Sequence, residues 1–202
     1  HGYNVAIGGY ALQDQLAGAD AFNVAIGYQA GTQVQSGINN TLVGSFAGDA
    51  LTTGSYNVAL GFDALSKEDT GTRSIAIGYY ALRNQNFNGE ALNIAIGHLA
   101  GLNVETGIRN TLVGSLSGDA ITTGSYNTVF GSHALSAQTT GGSNTALGYA
   151  ALNALNHTGS EVGYNVAVGH EAGALMSTGV NNTLIGALSG DELTLGSDNV
   201  AV

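Results

Sequence analysis

Asn23-Val24-Ala25-Ile26-Gly27-Tyr28-Gln29-Ala30-Gly31 decides the fold, because the chain is built from copies of it. The copies open at Asn4, Asn23, Asn40, Asn57, Ser74, Asn93, Asn110, Asn127, Asn144, Asn165, Asn182 and Asn199. Wherever the chain extends far enough, the fifth position is Gly and the eighth is Ala or Ser, as in Gly27 and Ala30, Gly44 and Ala47, Gly97 and Ala100, or Gly114 and Ser117. From opener to opener the spacing runs 19, 17, 17, 17, then 19, 17, 17, 17, then 21, 17, 17. A fixed short period means stacked units sharing one continuous core. Four-coil blocks at 4–73, 74–143 and 144–202, the last cut short, then make residues 1–202 a single repeat domain.

The period is that of β structure. Two glycines per coil would each cost about 1 kcal/mol in a helix interior, and the segments between them are short and rich in Val, Ile, Leu and Thr, as strands are. Each of the shorter coils places a second Gly three residues before the next opener, for example Gly37, Gly54 and Gly107. Bends at the two glycines leave room for two short strands per coil, one on Val-Ala-Ile and one after the small eighth residue. Stacked openers would form a ladder of Asn side chains. The result is an all-β parallel β-roll or β-solenoid of about twelve coils, on the order of 55 Å long at strand spacing.

Positions two to four of the motif are apolar in most coils, as in Val5-Ala6-Ile7, Ile94-Ala95-Ile96 and Val166-Ala167-Val168. Neighbouring side chains on a strand point to opposite faces, so both faces of this sheet call for burial. A thin roll has one interior. The other face therefore wants a cover, most simply a second copy of the chain, the alternative being a larger third wall or a partner domain.

Composition narrows the function. The chain carries 4 basic and 14 acidic residues, a net charge of −10, which excludes nucleic acid as a partner because phosphate recognition needs a basic stripe. No apolar run is long enough to span a bilayer, so direct membrane insertion by this segment is not expected. Cysteine is absent and gives no reading of redox compartment. The chain opens on His1 and breaks off inside a repeat at Val202, which reads as a piece of a longer fibrous protein.

Asn-Val-Ala-Ile-Gly-x-x-Ala at coil length, over all twelve coils, resembles the head repeat of trimeric autotransporter adhesins (YadA-like heads). That resemblance implies a left-handed roll, a homotrimer about an axis along the rod, and a bacterial cell-surface protein anchored in the outer membrane through other regions. It implies adhesion to host extracellular matrix protein or glycan. The coils here are longer than is usual in those heads, and the four-coil superstructure is not part of them. Similar arrays resemble segments of bacteriophage tail fibres, for which the ligand would be a cell-surface polysaccharide.

Chemistry would sit at the recurrent departures from the motif. The lengthened coils add residues at one place, Gln13–Phe22, Arg83–Leu92 and Asn153–Tyr164, about 19 Å apart. Loops on a rigid scaffold are where binding residues collect. Candidate ligand-binding residues there are Asp14, Gln15 and Asp20, then Arg83, Asn86, Phe87 and Glu90, then Asn156, His157 and Glu161. Asp49, Asp119 and Asp191 recur four coils apart, too far to share an ion, and read as solubilising charge. His98 and His170 fill the slot of Tyr28, with no zinc-ligand spacing. Tyrosines gather before the opener and just after the Gly, where they either close the thin core, pack between chains or stack on sugars. No metal or cofactor set, no nucleophile–base pair and no marked carboxylate pair stands out. An enzyme, whether solenoid glycosidase or lyase, is disfavoured, and so is an ice-binding solenoid, since Thr41, Thr111 and Thr183 do not belong to an unbroken Thr-x-Thr array.

Overall fold

Each opener hands the chain to a short strand, and these strands stack in order. In the computed structural model, which describes residues 2–16, 20–157, 159 and 162–202, β1 is Val5–Ile7, β2 Val24–Ile26, β3 Thr41–Val43, β4 Val58–Leu60, β5 Ile75–Ile77 and β6 Ile94–Ile96. The series continues with β7 Thr111–Val113, β8 Thr128–Phe130, β9 Thr145–Leu147, β10 Val166–Val168, β11 Thr183–Ile185 and β12 Val200–Ala201. They form one parallel sheet in sequence order, each pair in the register that aligns motif with motif, such as Ala25 with Leu42. The protein is an all-β parallel solenoid with one copy of the motif per turn, and no helix occurs among the described residues.

The second wall differs from the sequence expectation. Instead of a second strand after the eighth residue, the chain runs through consecutive tight turns. Their backbone still bonds from coil to coil: Gln29 N donates to Gly9 O, Gly31 N to Ala47 O and Gln33 N to Asp49 O. Alternate residues bond within the coil, as Ala30 N does to Gly27 O and Val34 N to Gly31 O. This alternation places the seventh residue, the ninth and the one before the opener in the left-handed region, with φ of 56° at Gln29 and 57° at Asn39. That conformation costs an L-residue about 1–2 kcal/mol. Among the described residues, no Val, Ile or Thr adopts it, and these are the types for which it is least accessible.

The core is one file of small and aliphatic side chains between the walls. Position three supplies Ala25, Leu42, Ala59 and Ala76, and position eight Ala30, Ala47, Ala64 and Ala81, all without accessible surface. One difference between coils has a packing origin. Coils with Leu at position three (Leu42, Leu112, Leu184) carry Gly at position nine (Gly48, Gly118, Gly190), whereas the Ala-bearing fourth and fifth coils carry Leu65 and Leu82 there. A Cβ on Gly118 would lie 2.9 Å from Leu112 Cδ2 and 2.8 Å from Ile121 Cδ1. Leu at three and Leu at nine compete for the same volume.

The Asn ladder forms, and it does more than stack. Where the preceding opener is Asn, an opener's backbone N–H donates to that residue's side-chain Oδ1, as Asn40 does to Asn23 at 2.8 Å and Asn110 to Asn93 at 2.8 Å. The side-chain Nδ2 reaches across its own coil to the second glycine, Asn40 to Gly54 O at 2.9 Å and Asn93 to Gly107 O at 2.7 Å. It is a strut between the two corners. The fifth-position glycine turns the chain off the strand at φ 138° in Gly27, where a Cβ would lie 2.6 Å from the Gly44 carbonyl oxygen. Conformation and coil spacing therefore both demand glycine there.

Candidate functional site

The candidate loop residues divide into solvent-facing and structural ones. Asp14, Asp20 and Asn86 are exposed, and Phe87 is half-buried. Glu90 is exposed but ion-paired with Arg73. Gln15, expected as a loop ligand, belongs to the ladder: its Oε1 accepts from Asn23 Nδ2 at 2.9 Å. Its counterpart Gln85 repairs the one break in the Asn series, donating to Ser74 Oγ at 2.9 Å and accepting from Asn93 Nδ2 at 2.8 Å. Gln85 also donates to Glu68 Oε2 at 2.8 Å, so the buried Glu68 carboxylate is held by Gln85 and by Gly71 N at 2.7 Å.

Asn156 also turns inward, its Oδ1 accepting from Thr139 Oγ1 at 2.9 Å. His157 is a correction to the loop reading. It is fully enclosed, with Nε2 3.0 Å from Gly179 O, so the ring packs against the next coil and faces no solvent. Glu161 lies outside the described residues. Arg83 does not project from its loop either; it reaches back one coil to Asp63 at 2.5 Å and lies over the Tyr80 ring at 4.8 Å.

Aromatic rings form a repeated chemical feature of the surface. Along the corner after the fifth-position glycine run Tyr10, Tyr28, Phe46, Phe62, Tyr79 and His98, one per coil, with centroid separations of 5.8, 5.5, 5.8, 5.7 and 5.4 Å. Ser115 and Leu116 interrupt the row, and it resumes as His133, Tyr149 and His170 at 6.0 and 5.2 Å. The rings do not close the core: Tyr28 is 48% exposed and Tyr79 44%. The residue before the opener makes a second, sparser row, with Tyr3 stacked on Phe22, Arg73 over Tyr56 and Arg109 over Tyr126.

The recurrent acids are less solvated than their sequence suggests. Asp49 Oδ1 and Asp119 Oδ1 are buried without a hydrogen-bond partner. Burial pushes the Asp49 carboxyl up to about 6, and the nearby Asp63 carboxylate pushes it the same way. Burial likewise raises Asp119. No three His, Asp or Glu side chains converge as a metal would require among the described residues. His170 and Glu171 approach to 3.9 Å, but that pair stands on the surface.

Fold and surface together define a parallel β-solenoid repeat module. Compared with protein families, characterised proteins and solved structures, the chain matches none of them. The likeness to adhesin heads therefore rests on the repeat itself.

Proposed function

We propose that this chain is a structural and adhesive module, the head or a shaft segment of a trimeric bacterial surface fibre. One observation carries the reading. The middle residue of each strand from β2 to β11 is buried, while its neighbours remain exposed or half-exposed. Those neighbours are aliphatic in most coils: Ile26, Val43, Leu60, Ile77, Ile96, Val113 and Leu147 lie along the outer face. A strip on the order of 55 Å by 10 Å, about 500 Å², sits at the upper end of what a soluble monomer exposes. Two further copies of the chain, each offering the same strip, cover it with matching length and chemistry. The fibre then holds corners, loops and ring rows away from the cell, and three chains with repeated coils turn weak contacts to matrix protein or glycan into firm attachment.

Light scattering tests the assembly. The wild type is expected at three times the chain mass of 20.2 kDa, and replacing Ile77, Ile96 and Val113 with Lys is expected to release the single chain with unchanged β circular dichroism. A wild-type monomer at micromolar concentration would overturn the reading. The adhesive half is tested by binding of wild type and the triple variant to immobilised matrix proteins and glycans. Retention of the trimer with loss by the variant is expected; no retention on any surface removes that half.

A further inference from the structure

Beside the row of rings one coil lacks side chains that its counterpart a block earlier carries, and what fits the space can be argued from the repeat. Where the row resumes, a cavity of about 420 Å³ opens between His133, Tyr149, Ala150, Asn153, Glu171 and Leu175. That size lies within the range of about 300–1,000 Å³ typical of small-ligand sites. One block earlier the same positions are Asp63, Tyr79, Tyr80, Arg83, Leu99 and Asn103. There the chain fills the space itself: Tyr80 lies against Tyr79 with centroids 4.0 Å apart, and the Arg83 guanidinium covers Tyr80 while pairing with Asp63. Ala150 and Asn153 remove both fillers and keep the wall beneath them. The backbone is the same at both places, with φ of 58° at Tyr80 and 52° at Ala150.

We propose that this cavity binds a single pyranose unit, neutral or amino-substituted, of a glycan chain. A flat ring of Tyr size occupies the equivalent volume, so a six-membered ring fits the space. The walls are apolar on one side, from Ala150, Leu175 and Tyr149, which is 49% exposed. Polar groups stand at the rim. Asn153 spends its Nδ2 on His133 O at 2.9 Å and Ser136 Oγ at 2.7 Å, leaving Oδ1 to accept from a ligand hydroxyl. Glu171 presents a half-exposed carboxylate, and His133 lines the same opening. An amphipathic ring with an apolar face and a hydroxyl rim answers that arrangement better than a Tyr side chain with one hydroxyl. Glu171 and the net charge of −10 turn away acidic sugars and favour an amino group. This deepens the adhesive reading by naming a sugar-sized site on it, and it stands apart from the mass measurement. A trimer that binds no sugar here sinks the cavity alone.

Saturation-transfer NMR with three trisaccharides, of glucosamine, glucose and galacturonate, tests the assignment on the full chain. Transfer is expected to the glucosamine or glucose trisaccharide and not to the acidic one. The double variant Ala150→Tyr with Asn153→Arg rebuilds the filling of the earlier block and is expected to weaken binding at least tenfold. The surface change Glu171→Gln reads the same site without altering the core and is expected to remove any preference for the amino sugar. Absence of transfer to both non-acidic trisaccharides overturns the proposal, and so does equal binding by the filled variant.

Discussion

At the scale of single residues, this protein depends on side chains that carry backbone bonds. Asn110 shows why the opener is Asn. Its Oδ1 accepts from Asn127 N at 3.0 Å, and its Nδ2 donates to Gly124 O at 2.9 Å, both in a buried site. Alanine would orphan both partners, each at a cost of about 1–3 kcal/mol. Asp retains the acceptor but turns a carboxylate toward the Gly124 carbonyl. Asn110→Ala is therefore expected to lower stability by about 2–5 kcal/mol in denaturant melts. Asn110→Asp should lose at least as much at neutral pH and recover part of it on acidification, because the buried acid prefers its proton. Equal losses at pH 4 and pH 7 would contradict this account.

Asp49 makes a companion case with the sign worked out. Its folded value of about 6 lies above the ordinary 3.8, so the native state holds the proton more tightly. Stability from this group is greatest below about pH 4, declines as pH rises to about 6, and is level above that. Asp49→Asn is expected to raise the thermal midpoint at pH 7 and to flatten its fall between pH 4 and 6. Both residue types are visible in the sequence as recurrences. Their burial is not, because a polar residue beside a glycine reads equally well as a turn in solvent.

At the scale of the coil, core volume is traded between two positions that the linear chain separates by six steps. Leu112 occupies the space above Gly118, and Leu82 and Leu135 occupy position nine where position three is Ala76 or Val129. Leu112→Ala should cost about 2–5 kcal/mol as a cavity, and Gly118→Leu about 1–3 kcal/mol by crowding. The double variant relieves the contact with Leu112 and leaves the one with Ile121, so its loss is expected to fall short of the sum in a double-mutant cycle. Strict additivity would show that the two sites do not share volume. The quartet is legible as a pattern of spacings, but the exchange of Leu and Gly at position nine within it is explained only with Leu112 seen beside Gly118. The second wall escapes the sequence for a related reason. Short aliphatic segments after Ala30 or Ala47 suggest a strand, whereas alternating left-handed residues make a row of turns with the same coil-to-coil bonding.

At the scale of the molecule, each coil touches only its neighbours, so stability is a chain of nearest-neighbour terms. Ala6 in β1 is exposed, whereas Ala76 and Ala95 in β5 and β6 are wholly covered. Hydrogen exchange is expected to be fastest for the β1 and β12 amides and slowest around β5 to β8. Uniform protection along the rod would mean that the coils open only together. The same linear logic explains why rings, loops and acids repeat at fixed heights, and why one altered coil, at Ala150, changes the surface locally.

The sequence alone determined the solenoid, the number of its coils and the place of each stacked strand, because a short period of Asn, Gly and small residues has few other ways to bury its apolar positions. It also marked the strand as apolar on both faces. The tertiary structure decided what lies in between: turns in place of a second strand, Gln15 and His157 drawn inward, and a cavity where Ala150 replaces a ring. Those outcomes depend on which side chains meet across neighbouring coils. Contacts between coils set them, and local pattern carries no record of such contacts.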